Sequence, residues 1–159
     1  MERVKIRVAD ISDVERIIEL VIRQRRLNEE FDPLLKTSQS LVEAARSYMN
    51  EAIKGQRSVL IVAEDAGKIV GVLKADLVDR LFYEPSIEGI LRDFYILPEY
   101  RRKGLGVRMV NEAIKTLRSL GAGLITAEFP SQHRIAVEFY NKLGFRPLIS
   151  IYARQAEES

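Results

Sequence analysis

The chain has 159 residues, 47% of them hydrophobic, with 25 lysines and arginines against 23 aspartates and glutamates. That length suits one domain whose core needs no metal or disulfide, and a formal charge of +2 is too small for a polyanion-binding surface. Zero cysteines exclude disulfides, thiolate metal sites and a cysteine nucleophile, and one histidine excludes the paired-histidine zinc motif.

Val4, Ile6 and Val8 alternate with charged residues, which predicts a first strand; Met1-Glu2-Arg3-Val4 is not the apolar core of a secretory signal. Ser12-x-x-Glu15 reads as a capping box opening a helix near residue 13, with Val14, Ile17, Ile18 and Val21 inward. Arg23, Arg25 and Arg26 fall on its solvated side. Ser40-x-x-Glu43 is a second capping box, and Leu41, Ala45, Tyr48, Met49, Ala52 and Ile53 line a helix that Gly55 ends. Residues 58–63 and 69–77 are apolar and β-branched, and Glu64-Asp65-Ala66-Gly67-Lys68 between them predicts a hairpin; a third strand follows over 87–97.

Ile96-Leu97-Pro98-Glu99-Tyr100-Arg101-Arg102-Lys103-Gly104-Leu105-Gly106 then leads from that strand through a basic turn into a helix. Leu105, Met109, Val110, Ala113, Ile114, Leu117 and Leu120 make one helical face, and Gly121 is its stop. Gly104 and Gly106 therefore sit at a helix N-terminus, where unpartnered N–H groups and the macrodipole bind anions and a Cβ would block their approach. Arg101, Arg102 and Lys103 add charge-assisted contacts that suit a diphosphate. A P-loop is excluded, since Leu105 follows Gly104 and Val107 and Arg108 follow Gly106, and a dinucleotide fingerprint is weak because its third glycine is replaced by Met109. On its own, this segment reads equally as a shaped turn beside a solvated basic run.

After a strand near 123–128, Ala136, Phe139, Tyr140 and Leu143 form the stripe of a short helix with Ser131 as N-cap and Gly144 at its end; a last strand is predicted near 148–153. Pro98-Glu99-Tyr100-Arg101-x-x-Gly104-x-Gly106 followed by Ala136-x-x-Phe139-Tyr140-x-x-x-Gly144-Phe145 resembles the GNAT superfamily of acetyl-coenzyme A-dependent N-acetyltransferases.

The resemblance implies a single α/β domain (α+β type) over 1–155 with a tail at 156–159. Its mixed, mostly antiparallel sheet would be flanked by about four helices in the order β-α-α-β-β-β-α-β-α-β. It further implies transfer of acetyl from acetyl-CoA to a primary amine in a ternary complex, with no metal; the alternative is a catalytically inactive CoA-binding regulatory or interaction module on the same fold. Phe94, Ile96, Arg101, Arg102, Lys103, Gly104, Leu105, Gly106 and Asn141 are the implied cofactor contacts, and Tyr140 matches the proton donor to the departing thiolate. Where the family more often has asparagine, this chain has His133.

For the general base, the strand offers Glu88 and Asp93, with Glu128 or a water chain as alternates. Simple alternation points Glu88 and Asp93 to opposite faces unless a bulge intervenes. Glu29, Glu30 and Asp32, in the connection between the first two helices, either attract a cationic amine or form an ordinary polar loop. Few residues follow Gly144, so a partner chain is the candidate to complete the sheet edge, as a homodimer. No apolar run is long enough to span a bilayer; neither nucleic acid nor membrane is expected as a partner, and the cytoplasm is the expected location.

Overall fold

Alternating apolar residues and a few backbone-demanding turns organise residues 3–157, those described by the computed structural model, into one sheet with helices on both faces. The elements are β1 (Lys5–Val8), α1 (Val14–Asn28), α2 (Leu41–Lys54), β2 (Ser58–Asp65), β3 (Lys68–Asp79), β4 (Ile87–Ile96), α3 (Leu105–Ser119), β5 (Leu124–Ala127) and α4 (Arg134–Lys142). The spatial order β1-β2-β3-β4-β5 follows the chain; β1 to β4 pair antiparallel, and β5 runs parallel to β4 because α3 carries the chain back between them. The β2–β3 hairpin turns on Ala66 and Gly67, both at positive φ (50° and 82°), the signature of a two-residue type I′ turn.

One face of the sheet receives α3. Gly89 has no Cβ because one there would lie 2.8 Å from a Leu117 methyl carbon, and at Gly71 it would meet the Met109 sulfur at 3.1 Å. These glycines let the helix settle close to the strands. The other face is covered by α1 and α2, whose Ile17, Leu20, Val21 and Met49 are fully buried.

Local caps differ from the expected ones. Asp10, not Ser12, starts the first helical segment: its carboxylate accepts from the Ser12 N–H, and Asp13 accepts in return from the Asp10 N–H at 2.9 Å. A carboxylate outcompetes a hydroxyl there, and Arg7 braces Asp13 with bonds of 2.8 and 2.9 Å, which holds that carboxyl below its usual range. Ser40 occupies the N-cap position of α2 but makes no capping bond. On α4 the cap is His133 rather than Ser131.

Elements run in the expected order as far as α4, and the C-terminal stretch departs from it. Residues 148–153 form neither helix nor ladder. Their β-branched and aromatic content favours a strand, but a strand needs a partner edge, and none within this chain takes them up. Glu158 and Ser159 of the expected tail, and Met1 and Glu2, lie outside the described residues.

Candidate active site at the parting of two strands

Parallel pairing of β5 with β4 spans only Glu88↔Leu124 to Leu91↔Ala127, and the Glu128 N–H donating to the Leu91 carbonyl at 3.0 Å is its last rung. Beyond it β4 continues for five residues, Arg92 to Ile96, without β5. The Leu97 N–H donates to the Val70 carbonyl at 2.9 Å, so residues 97, 95 and 93 bond to β3 and the backbone groups of Phe94 and Ile96 face the gap. An extended ligand arm can therefore be held there by main-chain hydrogen bonds.

At the top of the gap the chain turns into α3. Gly104 is at the N-cap with φ 80° and ψ −2°, a left-handed conformation that L side chains rarely adopt, and Arg102 also has positive φ (61°). No side chain caps α3, so its first-turn N–H groups are open to an outside anion. Gly106 has a different reason to be glycine than the expected anion approach: a Cβ there would press on the Phe139 ring at 3.1 Å, so its role is to let α3 pack against α4. Leu105 is buried in the core, which leaves only its backbone for a ligand.

Arg102 and Lys103 are exposed beside the turn, whereas Arg101 folds back. Its Nε donates to the Ile96 carbonyl at 2.7 Å and its guanidinium lies 5.1 Å from the centre of the Tyr95 ring. Tyr100 anchors the turn from behind by donating its hydroxyl to Asp65 at the end of β2, which holds that buried carboxyl below its ordinary value and pushes the phenol up.

An aromatic cluster lines the floor. Phe94 reaches Phe139 at 6.0 Å, Tyr140 stacks on Phe129 at 5.1 Å and 11°, and Phe139 and Phe145 meet Tyr140 edge-on. Burial among these rings pushes the Tyr140 phenol well above its usual value, so it holds its proton at neutral pH. Asn141 is exposed on the next position of α4.

The carboxylates are brought together by a bulge. Between Lys74↔Asp93 and Ala75↔Leu91 the register of β3 and β4 slips, leaving Arg92 as the extra residue. That slip turns Asp93 onto the face that carries Glu88, so the two share the side covered by α1 and α2. Thr126 donates to Glu88 at 2.5 Å, which places β5's even-numbered residues, Glu128 included, on this face as well.

Their environments differ. Asp93 is 1% exposed and accepts from the Arg25 guanidinium and from the Tyr48 hydroxyl at 2.6 Å. Burial, then the Asp93 charge, pushes the Tyr48 phenol up. Beside them Lys74, 2% exposed, lies 4.2 Å from the centre of the Tyr48 ring and binds both Asp76 oxygens at 2.6 and 2.8 Å. Arg92 links Asp76 (3.2 Å) to Glu128 (3.6 Å). Every buried charge in this network has a partner, the condition under which low-dielectric sites tolerate them.

Arg25, expected on the solvated side of α1, instead reaches the buried Asp93, and Tyr48, expected only as part of the apolar face of α2, meets it too; Lys74, Asp76 and Asp65 were not singled out from sequence. Lys74 and Asp76 did carry a signal: two opposite charges at i and i+2 in an apolar strand share a face. Asp65 carried none, because its partner Tyr100 is 35 residues away.

Over the gap, Phe31 from the α1–α2 connection stacks on His133 at 4.4 Å and 15°. His133 accepts the Ala136 N–H through Nδ1 at 3.3 Å, and burial, then Arg101, lowers its pKa. In the same connection, Glu29 is held by the Thr37 N–H and hydroxyl and Asp32 by the Leu34 N–H, so both carboxylates shape the loop.

The chain is similar in sequence and in fold to known proteins. It is 27% identical over 101 residues to the uncharacterized N-acetyltransferase MJ1207 of Methanocaldococcus jannaschii, covering 64% of this chain and only 45% of that protein. It is 25% identical over 142 residues to the uncharacterized N-acetyltransferase YhfO of Bacillus subtilis, covering 88% of both. A predicted acetyltransferase from Clostridium acetobutylicum, solved with acetyl-CoA, superposes with a TM-score of 0.75 at 17% identity, over 96% of each chain. The model of the acetyltransferase (GNAT) family matches residues 22–145, which include the gap, the basic turn and the aromatic floor, and the chain belongs to that family.

Proposed function

We propose that this protein is an N-acetyltransferase that moves an acetyl group directly from acetyl-CoA to a primary amine, on a small molecule or on a peptide or protein, in a ternary complex. The observation that carries this reading is the gap beyond Leu91, flanked by the main-chain edge of Phe94 and Ile96, which β5 does not pair, and by the uncapped start of α3. Edge and helix start fit the two halves of the ligand, an amide-rich arm and a diphosphate.

Bound there, acetyl-CoA supplies the thioester from which the acetyl group is taken. The α3 N–H groups from Gly104 to Gly106, with Arg102 and Lys103, hold its phosphates. Phe94 and Ile96 hold the arm by their backbone, and Asn141 is a further contact. Arg101 sets the mouth of the gap through the Ile96 carbonyl. Because the Leu97 N–H is committed to Val70, that of Ile96 is the donor left for the thioester oxygen. Tyr140 is the proton donor to the departing sulfur, a phenol that carries its proton at neutral pH.

Amine deprotonation falls to Glu88 or Glu128, directly or through water. Asp93, locked between Arg25 and Tyr48, acts as a positioning residue for the upper half of β4. Phe31, His133 and the loop they close form the acceptor wall.

Calorimetric titration with acetyl-CoA, then thiol release with a panel of amines on wild type, Tyr140→Phe, Glu88→Gln and Glu128→Gln, tests the reading. Binding with turnover that falls in Tyr140→Phe and in one glutamine variant supports it. Binding without turnover for any amine assigns the inactive module instead, and absence of binding overturns the ligand assignment.

A further inference from the structure

On the sheet face that carries Glu88 and Asp93, charges are sorted by depth. α1 packs on β3 and β4 and α2 on β2, while every residue of β5 stays half-buried, so this side of the β4–β5 pair is partly open. The carboxylates of Asp93 and Asp76 lie deep, 1% and 14% exposed, and their guanidinium partners Arg25 and Arg92 lie nearer to solvent, 44% and 35% exposed. Glu128 is 56% exposed beside Arg92, whereas Glu88 sits deeper and is tied to Thr126. A ligand entering here therefore meets two guanidiniums and one carboxylate.

Neither guanidinium is used up. Among the described residues Arg25 hydrogen-bonds only Asp93 and Arg92 only Asp76, and Arg92 Nε is buried without a hydrogen-bond partner, the Glu128 carboxylate standing 3.6 Å away. Each is a planar fork of N–H donors that can grip a carboxylate at both oxygens. Both stand next to Asp93, Arg25 by contact and Arg92 by sequence. The network as a whole is neutral, with Arg25, Lys74, Arg80 and Arg92 set against Asp76, Glu88, Asp93 and Glu128. A polyamine or an aminoglycoside, with several ammonium groups, calls for an excess of carboxylates. A neutral wall that turns two guanidiniums and one carboxylate outward suits a ligand with one acid group and one amine.

We propose that the acceptor is a free α-amino acid, its carboxylate held by Arg25 and Arg92 and its amine presented to Glu128. The assignment rests on the transferase reading above and narrows its acceptor. Arg92 and Glu128 are so close that the acid and the amine must be neighbours in the ligand, as they are on one α-carbon. In the transfer, the ammonium group gives one proton to Glu128 and the freed nitrogen attacks the thioester carbon. The C–N bond forms, the second nitrogen proton is lost as the C–S bond breaks, and the sulfur takes its proton from Tyr140. The products are an N-acetylamino acid and free coenzyme A.

Thiol release with the free L-amino acids, their α-carboxamides, spermidine and phosphoethanolamine tests this. At least one free amino acid is expected to be used with a kcat/KM about 100-fold above that of its own carboxamide, because the carboxamide leaves the guanidiniums without an anion. This comparison is made on the wild type and does not depend on how any variant folds. Arg25→Lys and Arg92→Gln are each expected to raise the KM for that amino acid about tenfold and to narrow its advantage over the carboxamide. A carboxamide, spermidine or phosphoethanolamine used as well as every free amino acid overturns the proposal, as does an unchanged KM in both variants. Acetyl-CoA binding with no free amino acid acetylated overturns it too. Absence of acetyl-CoA binding by calorimetry is instead the failure of the transferase reading, and the acceptor assignment falls with it.

Discussion

Almost no water reaches Asp93, and Arg25 and Tyr48 arrive from two different helices to meet its carboxyl group. Removing one member of such a pair leaves the other uncompensated, a loss of about 3–5 kcal/mol when both are fully buried. Arg25 is nearly half exposed, so we expect Asp93→Asn to cost about 2 kcal/mol in chemical denaturation. Tyr140 makes the contrasting case. Its ring is held by stacking that phenylalanine preserves, so Tyr140→Phe should melt like the wild type while turnover falls about 100-fold, with little change in KM for acetyl-CoA. Equal loss of stability and turnover would mean that the hydroxyl is structural. The place of Tyr140 on the inner stripe of α4 was legible from its spacing, whereas the hydrogen-bonding partners of Asp93 were not, because they lie 45 and 68 residues away and join only through the packing of helices on the sheet.

Two glycines one residue apart separate the demands of conformation and space. Nothing lies within 4 Å of a Cβ built on Gly104, so Gly104→Ala should cost about 1 kcal/mol through the left-handed backbone alone, measured by denaturant unfolding. Gly106→Ala instead pushes on the Phe139 ring next to Tyr140, and its effect should fall on turnover more than on stability. The cap of α4 adds a pH dependence. His133 accepts through Nδ1 and so must be neutral there, and its folded pKa is lowered by burial and by Arg101. Its contribution is complete above the ordinary histidine value of about 6.5 and is lost as pH falls through that value toward the lower folded one. The thermal midpoint should therefore drop on acidification below about pH 6.5, separately from the carboxylates that titrate near pH 4, and His133→Asn should flatten the drop. With one histidine in the chain, the assignment is unambiguous. Periodicity located each helix to within a few residues, but caps were misplaced because Asp10 and His133 outcompete the nearby serines only through partners, Arg7 and Phe31, that sequence does not show as neighbours.

At the scale of the molecule, the order of elements as far as α4 and the inward stripe of each helix were readable because each element buries a stripe that its own spacing announces. The C-terminal segment was not, since its composition announces a strand and residues 148–153 nonetheless join no ladder. Arg92 also has consequences for how the protein tolerates change in length. As the one residue of β4 without a counterpart on β3, it sets the two halves of the strand out of phase, and each half suits its own surroundings. Deleting it would restore a regular ladder and yet rotate everything on one side of the deletion: Asp93 would turn toward the apolar packing of α3, while Phe94 and Ile96 would be delivered to the polar side beneath α1 and α2. A more regular strand would thus be a ruined one, and this position should resist shortening far more than it resists substitution.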